Sequence, residues 1–230
     1  MRARAVEACV EEMTMADMNE RPILFSGPDV RAVLAGTKTV TRRIIPLAEF
    51  KPSDTPGYDW TWRGQAPVRS VTQQLRHPRG CWQDVRNDHL MRLCPCGVPG
   101  DRLWVRETWG HSWHHAQPKA FYRATDPDCD RYPDFDGWEP STRMPRWASR
   151  LTLEVTSVRV ERLQAITEED ARAEGVEPAV WLAPNGEAVG EPTYRVGFET
   201  LWHKINHRRA SWASNPWVWR VAFSGVEVKR

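Results

Sequence analysis

The chain has no run of about 18 apolar residues, so no segment of it reads as a membrane-spanning helix. Its first twenty residues, MRARAVEACVEEMTMADMNE, carry acids through their middle and no apolar h-region, which excludes a secretory signal. An excess of one charge is missing as well: 32 basic against 30 acidic side chains leave a formal +2. That balance excludes strong non-specific attraction to polyanions, though not a local basic site. Cysteine is scarce, with five in 230 residues, neither dense nor even in number. This argues against a disulfide framework and for a reducing, cytoplasmic setting with no membrane partner. No G-x-S-x-G, P-loop or G-x-G-x-x-G occurs, so none of those signatures assigns a function.

What is present is a chain with 40% hydrophobic residues, enough for one sizeable core and too many for a disordered segment. One soluble domain of about 200 residues with short additions is the expectation. Tryptophan is abundant, at 13, and proline outnumbers glycine 18 to 14. The tryptophans follow no period, which excludes a repeat architecture. They suit a compact domain with a walled pocket, or a core rich in large rings.

Residues 1–20 read as a frayed N-terminal extension with weak helical character. A single domain then runs from 21 to 230. Ile23, Leu24 and Phe25 read as a first strand. Ser26 and Pro28 open a short helix, with Val30, Val33 and Leu34 as its buried stripe and Gly36 at the left-handed position beyond its end. Thr37 to Ile45 is β-branched and strand-like, and Pro46 ends it. Residues 47–99 are an irregular insertion with at most one short hairpin. Leu103, Trp104 and Val105 form a strand, and residues 110–146 are a second irregular insertion. Leu151, Leu153 and Val155 alternate, after which Val158 and Val160 carry the apolar side; that flip of parity predicts a bulge. Thr167 opens a helix in a T-x-x-D box with Asp170, and Gly175 stops it. Phe198, Leu201, Trp202 and Ile205 fall at helical spacing, and Trp217, Trp219, Val221 and Phe223 alternate in a closing strand. The order of elements predicts an α+β fold: a small mixed β-barrel with helices packed at its ends and two long insertions.

The densest polar cluster is Gly36-x-Lys38-x-x-Thr41-x-Arg43. A lysine with a lowered pKa can take a proton from a threonine hydroxyl, and an arginine can hold a carbonyl oxygen or a phosphate. The alternative is an exposed strand with solvated cations. A flat strand places Lys38 and Thr41 on opposite faces, so a shared site requires Lys38 to sit in the turn. Glu174 stands out because an acid in the last turn of a helix opposes the macrodipole. It is either a site carboxylate or an exposed residue tolerated at a few tenths of a kcal/mol. Cys94-Pro95-Cys96 has no matching second pair, and His111, His114 and His115 lack ligand spacing, so no metal or cofactor is expected. Arginines 69, 76, 79, 86 and 92, with Trp82 among them, make either a nucleic-acid contact or a solvated face diluted by Asp84 and Asp88.

The tract LAGTKTVTRR resembles the signature of the ASCH domain, a branch of the PUA-like superfamily, G-x-K-x-x-[ET]-x-R. Gly36, Lys38, Thr41 and Arg43 meet it. The phrases RPILFSGPDVRAVLAGTKTVTRR, PGDRLWVRETW, MPRWASRLTLEVTSVRVERLQAITEEDARAEGV and NPWVWRVAFSGVE are similar to those of bacteriophage and prophage proteins of this type. The likeness runs from about residue 21 to 226, more loosely through the two insertions. The superfamily includes RNA-binding modules and ribonucleases as well as small amidohydrolases that convert N4-acetylcytidine to cytidine and acetate. The resemblance to that last group implies a catalytic set of Lys38, Thr41 and Glu174, the glutamate lying in ITEEDARAEG. A mechanism built on that set places Arg43 or backbone amides at the oxyanion, Glu107 at the base edge, and Trp104 or Trp109 stacking on the ring. The implied partner is a nucleoside or modified cytosine base. A non-catalytic reader of RNA or single-stranded nucleic acid is the other class the resemblance allows. This chain is much longer than those amidohydrolases, and its insertions are where a pocket could be walled off or reshaped.

Overall fold

Ser26 opens the first helix, α1 (Gly27–Leu34), through a full capping box: its hydroxyl accepts from the Asp29 amide while the Asp29 carboxylate accepts from the Ser26 amide. Val30 and Val33 are buried in the core as the spacing predicts, whereas Leu34 turns outward and is 38% exposed. Gly36 leaves the helix at φ +72°, and the amides of Thr37 and Lys38 both return to the Ala32 carbonyl. These features come from a computed structural model that describes residues 19–45, 49–54, 56–57, 60–63, 82–85, 91–112, 119–132 and 134–229. The expected N-terminal extension lies almost wholly outside these residues, as do Pro46, His114, His115 and arginines 69, 76, 79 and 86.

The central sheet has the order β1 (Glu20–Leu24), β6 (Arg102–Arg106), β10 (Leu151–Arg162), β13 (Trp217–Val228), β2 (Val40–Ile44). β1 runs parallel to β6, and the other neighbours are antiparallel. β10 is the long strand whose apolar parity flips in the sequence. Its register against β13 shifts between Thr152 and Glu154 and again between Val155 and Ser157, which puts both Val155 and Val158 in the core. Leu103, Val105, Leu151, Leu153, Val155, Val221 and Phe223 pack with Val30 and Val33 of α1 into the larger core. A second core joins Leu163, Ile166 and Ala171 to Phe198, Trp202, Trp212 and Val218. It unites α2 (Glu168–Ala173), α3 (Tyr194–Asn206) and the start of β13.

Three expectations need correction. The expected insertion at 47–99 contains a three-stranded antiparallel sheet, β3 (Glu49–Pro52), β4 (Trp60–Arg63) and β5 (Trp82–Val85), rather than one hairpin. The insertion at 110–146 likewise holds most of a sheet ordered β8 (Lys119–Tyr122), β7 (Trp109–Ser112), β9 (Trp138–Glu139). A two-stranded sheet, β11 (Ala179–Leu182) with β12 (Ala188–Thr193), completes the set. The central sheet is also not closed into a barrel. β1 and β2 are its two edges, and among the described residues a side chain rather than a ladder reaches across, the Arg43 Nη2 donating to the Leu24 carbonyl at 3.0 Å. The architecture is therefore mixed α+β with an open, curled sheet. Within the described residues no helix is long and apolar enough to cross a membrane.

Candidate active site

The turn between α1 and β2 decides where the chemistry sits. The strand expected to start at Thr37 starts at Val40 instead, which leaves Lys38 outside the ladder. The Thr39 amide donates to the Ala173 carbonyl at the end of α2, and the Thr39 carbonyl accepts from the Phe223 amide. Residues 37–39 are thus threaded between two helix ends and β13, and Lys38 makes an isolated antiparallel bridge opposite Glu174. Gly175 permits this approach. It stands at φ +76°, where an added Cβ would come within 2.8 Å of the Ala32 Cβ and 2.9 Å of the Lys38 Cβ.

Lys38 and Glu174 are each only 4% exposed. The Lys38 ammonium has three donors and finds three acceptors: the Glu174 carbonyl at 2.7 Å, Glu174 Oε2 at 3.1 Å and Asp29 Oδ1 at 3.3 Å. The Phe25 ring lies beneath it, 5.6 Å from Nζ. This differs from the expectation of a polar cluster in which Lys38 and Arg43 act side by side. Arg43 instead turns toward Leu24 and the Phe25 ring, and two carboxylates surround the amine. Burial pushes the Asp29 carboxyl up, but Lys38 and the Ser26 hydrogen bonds outweigh it and hold it below the ordinary aspartate range.

Arg42 is the main residue that the sequence reading missed. Its side chain is fully buried, and its fork spans three carboxylates: Nε to Glu161 Oε1 at 2.9 Å, Nη1 to Glu174 Oε1 at 3.1 Å, Nη2 to Asp170 Oδ2 at 2.8 Å. Asp170 in turn takes Arg220, whose Nη2 lies 2.6 Å from Oδ1. The T-x-x-D box is accordingly half made. Thr167 caps the Asp170 amide, but the Asp170 carboxylate serves Arg42 and Arg220 instead of returning to the helix start. Glu174 at the negative end of α2 is no longer an anomaly, because Lys38 and Arg42 each bind one of its oxygens.

Lys38, Thr41, Arg42, Arg43 and Glu174 line one cavity of about 300 Å³, together with Asp29, Phe25, Phe198 and Trp202. The alternation of β2 does not separate them because β2 is an edge strand. Arg42 and Ile44 point toward α2 and α3, Thr41 and Arg43 toward Phe25, and both faces reach the same space. Pro95 also lines it, between the buried thiols of Cys94 and Cys96. Cys96 is lowered to about 7 by its hydrogen bond from Cys94, with Arg43 and Arg21 adding to the effect, while Cys94 is pushed up. Among the described residues no group of three or more His, Cys, Asp or Glu side chains is arranged to hold a metal ion.

The other three candidates do not line this cavity. Glu107 is 1% exposed, and both its oxygens are taken by Arg150, at 2.9 and 3.0 Å. Burial pushes its carboxyl up and Arg150 opposes the shift. Trp104 is half-buried on β6 under the guanidinium groups of Arg106 and Arg146. Trp109 is buried against Met144 and Ala148, with Trp147 edge-on to its ring. The aromatic walls of the cavity are Phe25, Phe198 and Trp202, of which the sequence reading named two only as helix core. Comparison of the chain with protein-family models, with curated proteins and with solved structures finds no match.

Proposed function

We propose that the chain is an ASCH-type, PUA-like amidohydrolase that removes the acyl group from N4-acylated cytosine nucleosides, with Lys38, Thr41 and Glu174 as its catalytic residues. One observation carries this reading: the three residues meet in a single half-open cavity although they come from a turn, an edge strand and a helix end. The open sheet, bridged by Arg43 between its edge strands, is then a PUA-like core whose ladder does not close.

The reaction needs a proton acceptor for the attacking oxygen and a proton donor for the departing N4 amine. Glu174 serves as both, and Lys38 holds the charge that develops on the carbonyl oxygen. The attacking oxygen is the Thr41 hydroxyl or a water that Thr41 positions. Its proton passes to the Glu174 carboxylate as the oxygen adds to the acyl carbon, and the carbonyl oxygen becomes an oxyanion beside the Lys38 ammonium. Collapse of that intermediate breaks the C–N bond, and the proton held on Glu174 is delivered to N4. If Thr41 is acylated, water repeats the relay and frees the carboxylic acid. Arg42 holds Glu174 in place through its second oxygen throughout, a positioning role.

The test is loss of the ultraviolet band of N4-acetylcytidine on incubation with the full chain. Lys38→Ala, Thr41→Ala and Glu174→Gln are each expected to lower kcat by roughly a hundredfold or more while keeping the far-ultraviolet circular dichroism of the parent. Turnover that survives Thr41→Ala at the parental rate would remove Thr41 from the reaction. Absence of turnover across several acyl groups by the folded parent would leave the non-catalytic reading, in which the same cavity holds a modified base of RNA or single-stranded nucleic acid.

A further inference from the structure

We propose that this cavity takes a nucleotide rather than a bare nucleoside, with Arg43 and Arg209 holding the phosphate at its rim. The inference deepens the reading above and shares with it only the placement of a cytosine ring in the cavity.

The charges divide into two sets. Those at the floor are internally matched: Lys38 with Asp29 and Glu174, Arg42 with Glu161, Asp170 and Glu174, Arg220 with Asp170. Two further cations line the same space, Arg43 on β2 and Arg209 just beyond α3. Neither has a carboxylate within salt-bridge distance among the described residues. Arg43 gives one of its five N–H groups to the Leu24 carbonyl and also faces the Cys96 thiol, and Arg209 is exposed with no partner to its guanidinium among the described residues. The floor set holds three cations against four carboxylates, so the interior has no surplus of positive charge, and the cations without a carboxylate partner among the described residues stand at the edge. A nucleoside offers that edge only neutral acceptors. A phosphate offers acceptor oxygens that a guanidinium meets two at a time.

Depth agrees with charge. Lys38 and Glu174 are buried, whereas Ile205, on the same wall as Arg209, is 60% exposed. A volume of about 300 Å³ lies at the small end for ligand sites, enough for a base and sugar with the phosphate left at the opening. Phe25, Phe198 and Trp202 supply apolar lining to the same space, against which the edge of a pyrimidine can pack. The same phosphate chemistry is presented by a free nucleotide and by an RNA strand, so the experiment must separate the two sources.

Isothermal titration of the full chain at low salt, with cytidine, with cytidine 5′-monophosphate and with the trinucleotide ApCpA, tests the proposal. The monophosphate is expected to bind about tenfold or more tighter than cytidine, and the advantage should shrink as salt is raised. Arg209→Ala, at an exposed position that does not endanger folding, is expected to remove most of that advantage, and Arg43→Ala the rest. Arg195→Ala, on α3 but outside the cavity, should leave it intact. A trinucleotide that binds as well as the monophosphate identifies the phosphate as that of a strand, and one that does not identifies a free nucleotide; either result supports the site. Affinities for cytidine and its monophosphate that agree within about twofold, or an advantage that persists in the Arg43→Ala/Arg209→Ala double variant, would overturn it. Because binding is read without turnover, a phosphate preference in a protein that leaves N4-acetylcytidine intact refutes the amidohydrolase reading alone. Turnover without a phosphate preference refutes this proposal alone.

Discussion

At the scale of single residues, the site depends on how closely two backbones approach at Gly175 and Lys38. Gly36 and Gly175 share a positive φ, +72° and +76°, but their surroundings differ. Nothing lies within 4 Å of a Cβ built on Gly36, whereas one built on Gly175 meets both Ala32 and Lys38 inside 3 Å. Gly36→Ala should therefore cost only the left-handed conformation, about 1–2 kcal/mol. Gly175→Ala adds overpacking of the same order and should cost about 2–4 kcal/mol, while lowering turnover by pushing Lys38 off Glu174. Thermal unfolding and N4-acetylcytidine kinetics on both variants make the comparison, and equal losses would sink the steric part of the argument. Lys38, Thr41 and Glu174 are legible because a motif and a charge at the wrong helix end draw attention to them. Arg42 is not, since an arginine in a β-branched strand beside a second arginine reads as a solvated position. Its only trace in the sequence is the set of acids at 161, 170 and 174, whose common partner emerges only when β2, β10 and α2 come together.

At the scale of elements, α2 has six residues, too few to be stable alone, and it carries two of the carboxylates that bind Arg42. Its start rests on Thr167, and its end on the Thr39 amide and the Lys38 ammonium. Thr167→Ala should cost about 1 kcal/mol by leaving the Asp170 amide uncapped. The helix then frays from the end that holds Asp170, so on the activity proposed above kcat for N4-acetylcytidine should fall while KM stays nearly unchanged. A variant that loses stability but keeps its kcat would show that α2 holds Glu174 from its C-terminal contacts alone. Element types followed from the sequence wherever a pattern lasted long enough. The parity flip in β10 foretells the register shift between Val155 and Ser157, though not the one between Thr152 and Glu154, and the helical spacing in α3 foretells buried Phe198 and Trp202. Ile205 completes that pattern yet is exposed, because it faces the cavity rather than a packed neighbour. The strands of the two small sheets escaped notice for a different reason. They are two to four residues long, shorter than the span over which alternation can be told from chance, and prolines and glycines surround them.

At the scale of the whole molecule, the ionic network ties the sheet to the second core. Arg42 and Arg220 sit on the paired strands β2 and β13, Glu161 on β10, and Asp170 on α2, so one set of charges links four elements around the open edge of the sheet. Backbone ladders that do not titrate in this range join β10, β13 and β2, but charged side chains fasten these strands to α2, so stability should respond to acid. Burial pushes the Asp170 carboxyl up, but Arg220 and Arg42 outweigh it and hold it below the ordinary range, as Lys38 and Ser26 do for Asp29. A carboxylate with a depressed folded-state pKa contributes stability that is fully present above its unfolded value. That contribution is lost as pH falls through the folded one, so the affected window begins at about pH 4 and extends downward. Asp170→Asn should therefore be less stable than the parent at pH 7, with the difference narrowing below about pH 4 as the parent's own Asp170 takes up its proton. Urea unfolding midpoints at pH 7 and pH 3 measure this directly. A gap of the same size at both would mean that Asp170 stabilises the fold through packing and the geometry of its hydrogen bonds, and not through its charge opposite Arg42 and Arg220.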